Sequence, residues 1–181
     1  MRLLLGFLVS TCATLAVAEG LPMDFSSFAP GTRFDYRDSE SGPFVDIYVG
    51  EENGLHVIER HLGNEYTETE LTRFFSAQGL EVRREYANGR IVSYAPFNCE
   101  RGVGDCRHEI TSARGTTPVT TTTYQENGGY TMEMAFASGN LRRRFFRLGD
   151  HGVMEFIREN DRQSKLESIR PPGQEFSPTR P

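Results

Sequence analysis

Apolar and polar residues alternate with a period of two through most of the chain. In "GPFVDIYVG", Val45, Ile47 and Val49 alternate with Phe44, Asp46 and Tyr48. In "GTRFDYRD", Phe34 and Tyr36 oppose Arg33, Asp35 and Arg37. In "GLEVRREYA", Leu80, Val82 and Tyr86 share a face opposite Glu81, Arg83 and Glu85. In "GYTMEMAFAS", Tyr130, Met132, Met134 and Phe136 line one side. Successive side chains of a strand point to opposite faces, so this pattern predicts half-buried antiparallel strands. No stretch after the leader sustains an i, i+3, i+4, i+7 apolar stripe with caps, so no long helix is expected.

Turn signals separate these stretches at Ser41-Gly42-Pro43, Glu52-Asn53-Gly54, Gly63-Asn64, Gln78-Gly79, Asn88-Gly89, the loop Glu100–Asp105, Arg114-Gly115, Asn127-Gly128-Gly129, Ser138-Gly139-Asn140, Gly149–Gly152 and Asp161-Arg162. A spacing of about 10 to 15 residues suits short strands joined by hairpins. Asn88-Gly89 reads as a type I′ turn, which requires positive φ at both central positions. The fold expected is all-β, an antiparallel up-and-down meander of about ten strands curled into a barrel-like or sandwich sheet so that its edges are hidden. "LPMDFSSFAPG" is expected to form a short helical turn that plugs one end, and the Thr-rich "TTPVTTTTY", with its proline, to lie at an edge or seam.

The first residues break the pattern. "MRLLLGFLVSTCATLAVAEG" has a single basic residue, an apolar run and the small-x-small sequence Ala16-Val17-Ala18. That is the form of a secretory signal peptide cleaved after Ala18. A competing lipoprotein reading would acylate Cys12, but Thr11 is larger than the residue such processing prefers. The expected organisation is a signal peptide at 1–18, a single β domain at 19–170 and a disordered Pro-rich tail at 171–181, the last with four prolines in 11 residues. The apolar run is too short to span a bilayer, and nothing after it is apolar enough to cross as a helix. Export, with no Asn-x-Ser/Thr sequon in the chain, points to a periplasmic or secreted protein of a Gram-negative envelope.

Composition narrows the partners. The 181-residue chain carries a net charge of −5, and losing Arg2 with the leader leaves 19 basic against 25 acidic residues, a net charge of −6. An acidic chain with scattered arginines is not the basic face a nucleic acid requires. Cys99 and Cys106 are the only cysteines after the leader. In an oxidising compartment they are expected to form a disulfide that clips the ends of two neighbouring strands, worth about 2.5 kcal/mol for so short a loop. They lack the Cys-x-x-Cys spacing of a redox pair, and with His108 they make a poor zinc site.

Candidate chemistry is sparse. His56 and His61 are an odd number of residues apart on one strand, so they point to opposite faces and cannot share a metal. Glu68 and Glu70 are the solvated face of a strand more readily than a glycosidase pair. There is no Gly-x-Ser-x-Gly elbow, P-loop, dinucleotide fingerprint or His-Glu-x-x-His. No cofactor or metal site is expected. The distinctive feature is arginine within apolar alternation. Arg84 falls on the face of Tyr86, and Arg143 on that of Leu141 and Phe145, while Arg142 and Arg144 share a face with Phe146. Arg84, Tyr86 and Arg143 are therefore the candidate ligand-binding residues, on the premise that an arginine in a barrel meets an acidic head group. The alternative is that such arginines reach water at strand ends or pair with an inward Glu.

Exported small barrels such as lipocalins and avidins share a meander, but the chain has no tryptophan and so lacks the lipocalin Gly-x-Trp signature. No family is drawn from the residues. They point to a non-enzymatic envelope β protein that binds a small amphipathic or acidic ligand or an envelope protein partner. A structural or interaction module with a filled core, and an enzyme of unknown class, stand as alternatives.

Overall fold

The computed structural model describes residues 23–62, 68–94 and 104–173, without the side chains of Cys106 and His108. The predicted signal peptide, the Cys99–Cys106 bridge and all but the first three residues of the predicted tail lie outside the described residues. The strands are β1 (Arg33–Asp38), β2 (Gly42–Glu52), β3 (Leu55–Leu62), β4 (Glu68–Phe75), β5 (Glu81–Tyr86), β6 (Ile91–Tyr94), β7 (Gly104–Ser112), β8 (Gly115–Glu126), β9 (Gly129–Phe136), β10 (Leu141–Leu148), β11 (Met154–Glu159) and β12 (Arg162–Arg170).

Each strand pairs antiparallel with the next, and β12 returns to β1, so the meander closes into a barrel. Closure leaves no edge to template aggregation, and it decides between the barrel and sandwich alternatives. The described strands number 12 rather than about ten. The turn signals within the described residues mark connections between strands, while Gly63-Asn64 and most of the loop Glu100–Asp105 lie outside the described residues.

Two hairpins have the mirror-image turn, with positive φ at Asn53 and Gly54 (52° and 76°) and at Asn127 and Gly128 (51° and 72°). Asn88-Gly89 does not. Only Gly89 is left-handed (78°), and its N–H donates to Tyr86 O at 2.8 Å while Tyr86 N–H donates to Arg90 O at 2.9 Å. This is a three-residue loop, a type I turn closed by a left-handed glycine. The Thr-rich segment is also corrected: β8 pairs with β7 on one side and β9 on the other, so it is neither edge nor seam. Pro118 is tolerated because the ladder to β9 begins only at Val119, which leaves the proline's missing N–H without a strand to serve.

The expected plug is present. A 3-10 turn, Phe25–Ser27, is capped by Asp24, whose carboxylate accepts from Ser26 N–H at 3.1 Å. Phe25 stacks on His56 with ring centroids 4.4 Å apart and touches Tyr48 and Phe75. With Phe34, Tyr36, Phe44, Ile58 and Val153 it forms the main buried core. Backbone bonds from Met23 to Gly79 and from Asp24 to His151 tie the plug to the β4–β5 and β10–β11 connections. Gly79 is required here, because a Cβ would stand 2.0 Å from Met23 O.

Candidate functional site

Directly opposed residues share a face, so the strand register carries the inward face around the ring. It passes from Tyr36 to Phe44, from Asp46 to Arg60, from Arg60 to Leu71 and from Arg73 to Arg84. It continues through Thr121 and Thr123 on β8 and Met134 and Met132 on β9 to Arg142 and Arg144 on β10. Arginines occur on both faces of this wall, in two different settings.

Inside, three arginines and two acids form one chain. Arg60 donates twice to Asp46, at 2.7 and 2.9 Å. Arg73 stands 3.7 Å from Asp46 and donates to Glu81 at 2.8 Å. Arg84 donates to Glu81 through Nε and through Nη2, the latter at 2.9 Å. A bulge delivers Glu81. Phe74 pairs with Arg83 but Phe75 with Glu81, so Val82 is skipped and Glu81 turns to the lumen. Alternation alone puts Glu81 outside, opposite Arg84, and the structure corrects that. Burial opposes the ionised form of Glu81, but Arg73 and Arg84 together outweigh it and hold the carboxyl down at about 2. Burial of Arg84 works against its charge, and Glu81 overcomes it, so this guanidinium is more basic than usual. Burial, reinforced by Asp46, raises the Tyr36 phenol above its ordinary range. Phe44 lies 4.0 Å below the Arg60 guanidinium.

Outside, β8 to β11 enclose a groove of about 620 Å³. Its lining includes Arg143, Phe145 and Arg147 of β10 and Phe156 and Arg158 of β11. The register opposes Phe145 to Arg158 and Arg147 to Phe156, a two-by-two pattern of rings and cations. Arg147 lies 5.2 Å from the Phe156 ring centre, Arg158 lies 5.6 Å from that of Phe145, and the two rings meet edge-on at 6.2 Å. Gly129 makes the concavity, since a Cβ there would come within 2.6 Å of Phe146 O, 2.8 Å of the Phe145 ring and 2.9 Å of the Arg147 stem. Arg143 is already satisfied: it donates to the Tyr124 hydroxyl at 2.8 Å and stands 3.4 Å from both Glu126 and Glu133. Thr131 is buried beneath it and donates to Glu126 at 2.6 Å. Arg147 and Arg158 contact rings but, among the described residues, no carboxylate, and both are exposed.

Of the sequence candidates, Arg84 and Tyr86 lie on the lumen face of β5 and Arg143 on the outer face of β10. The structure does not bring the three together. Arg143 is at the groove, whereas Arg84 belongs to the internal chain. Phe145, Arg147, Phe156 and Arg158 are groove residues that the sequence did not single out. Alternation in "RRRFFRL" and "MEFIRE" puts each on a definite face, but it is silent on which residue of β11 stands beside which of β10. Among the described residues no three His, Cys, Asp or Glu side chains converge as metal ligands would. None of the family models, curated proteins or solved structures compared with the chain matches it.

Proposed function

We propose that the chain is an exported, periplasmic β-barrel protein that binds a small amphipathic ligand in the outer groove and has no catalytic role. The observation that carries this reading is the groove itself. Its volume lies within the range of small-molecule sites, its floor is the Phe145–Phe156 pair, and Arg147 and Arg158 stand over it with no carboxylate partner among the described residues.

Two further observations support it. Around β1–β4 the lumen is filled by aromatic side chains and the plug, which favours the groove over the interior as the ligand site. The outer face carries Arg37, Glu59, Arg83, Glu85, Arg143 and Arg158 on strands all around the ring. Charges so distributed would be destabilising against acyl chains, so the barrel is read as standing in the aqueous envelope. The Ala16-Val17-Ala18 leader supplies the route, and a Cys99–Cys106 bridge would be maintained there.

Native mass spectrometry of mature protein from envelope extracts, with titration of the fluorescent amphipathic anion anilinonaphthalene sulfonate, tests the proposal. A retained small molecule and saturable probe binding that falls about tenfold in Phe145→Ala and Phe156→Ala are expected. Absence of both a retained molecule and probe binding by the folded protein overturns it.

A further inference from the structure

We infer that the groove selects amphiphiles by a doubly charged head group, a phosphate monoester on a single apolar tail. The inference rests on the binding reading above and names the ligand class.

The charge balance of the groove supports a dianion. Arg143 is neutralised by Glu126 and Glu133, so it offers a ligand little net charge. Arg147 and Arg158 have no such partners among the described residues. A third cation stands beside the groove lining on the next strand: Lys165 of β12 pairs in register with Phe156. Arg147, Phe156 and Lys165 therefore form one row across three strands, with the ring between two cations. In the adjacent row Phe145 stands beside Arg158. Lys165 is the chain's only lysine, and it is exposed and has no ion pair among the described residues. A phosphate monoester carries about −1.5 to −2 charges near neutral pH and three acceptor oxygens, and guanidinium forks match that geometry. A single carboxylate would leave positive charge unbalanced. The apolar component has its own place, because the two rings form a continuous floor between the cations and Gly129 keeps that floor recessed.

Isothermal titration of the full mature protein with four probes tests this: a monoacylglycerol phosphate, a monoacyl phosphocholine of the same chain, the matching fatty acid and inorganic phosphate. The monoacylglycerol phosphate is expected to bind at least tenfold tighter than each of the others. Its affinity should fall as pH drops below about 6, where the second phosphate proton returns. Arg147→Gln and Arg158→Gln should each weaken it at least fivefold and weaken phosphocholine binding less, so that the preference narrows. Arg143→Gln should change the preference less than twofold. Equal binding of all three amphiphiles would overturn the head-group inference and leave the amphipathic groove standing. Inorganic phosphate binding as tightly as the amphiphile would overturn the role given to the tail. If no probe binds while circular dichroism reports an intact barrel, both the inference and the binding reading fail.

Discussion

Arg84 on β5 and Arg158 on β11 are the same side chain in the same barrel wall, yet they differ in every respect that matters for function. Arg84 faces the lumen, is mostly covered and shares Glu81 with Arg73. Arg158 faces outward, is exposed and contacts the Phe145 ring but no carboxylate among the described residues. A buried guanidinium cannot be left alone, because desolvation of an unpaired charge costs several kcal/mol. Asp46 and Glu81 are therefore part of what makes the interior foldable. An exposed guanidinium costs the fold little when unpaired and remains able to receive an anion. Pairing at Arg84 and its absence at Arg158 separate a structural role from a binding one.

The sharpest way to break this contrast is Glu81→Gln. It leaves Arg73 and Arg84 without their shared carboxylate, and a loss of about 3–5 kcal/mol is expected in urea unfolding. A loss within 0.5 kcal/mol would mean that water screens the lumen and that the two regions differ only in geometry.

Acid should act on the interior in the same direction. Glu81 is held down at about 2, against about 4.5 for an unperturbed side chain. A depressed pKa contributes stability that is complete above the unfolded value and is lost as pH falls through the folded one. Stability should therefore decline between about pH 4.5 and 2 through Glu81, and the slope in this window should be shallower in Glu81→Gln when unfolding is followed as a function of pH. An identical slope in the variant would remove Glu81 from the account.

A smaller effect is expected at the groove floor. Gly129→Ala forces a methyl against Phe146 O and the Phe145 ring, and overpacking of this kind costs about 1–3 kcal/mol. Amphiphile binding should fall with it, since Phe145 and Arg147 must move. Unchanged binding at reduced stability would separate Gly129 from the concavity.

The smallest expected change is in stability upon Arg147→Gln or Arg158→Gln, within about 0.5 kcal/mol of the parent by thermal unfolding. That result sharpens the comparison, because the same substitutions are the ones expected to weaken anionic amphiphiles. A loss above about 2 kcal/mol would mark these arginines as structural.

Much of the barrel could be read locally. Phe34 and Tyr36 on one face, or Met132 and Met134 on another, follow from the two-residue repeat, and the turn signals within the described residues lie at connections. The plug too was legible, as a short helical turn in "LPMDFSSFAPG", while its cap at Asp24 and the burial of Phe25 came only with the structure. The misreadings have a common cause. Asn88-Gly89 forms a three-residue loop because the turn is set by the register of both flanking strands. Glu81 was placed outside because a bulge against β4 shifts the phase by one. The candidate trio Arg84, Tyr86 and Arg143 was split because alternation assigns faces within a strand and cannot tell which face of one strand continues which face of another.

By itself, then, the sequence determined strand content, the order of strands and the alternation within each. These depend on the pleat, on turn chemistry and on apolar run length, all short-range properties. Only the tertiary structure decided that β12 closes on β1, that Glu81 turns inward to meet Arg73 and Arg84, and that Phe145 and Arg147 of β10 stand beside Arg158 and Phe156 of β11. Those outcomes depend on cross-strand register. Register is set by hydrogen-bond ladders and bulges between separate segments, so no single stretch of the chain encodes it.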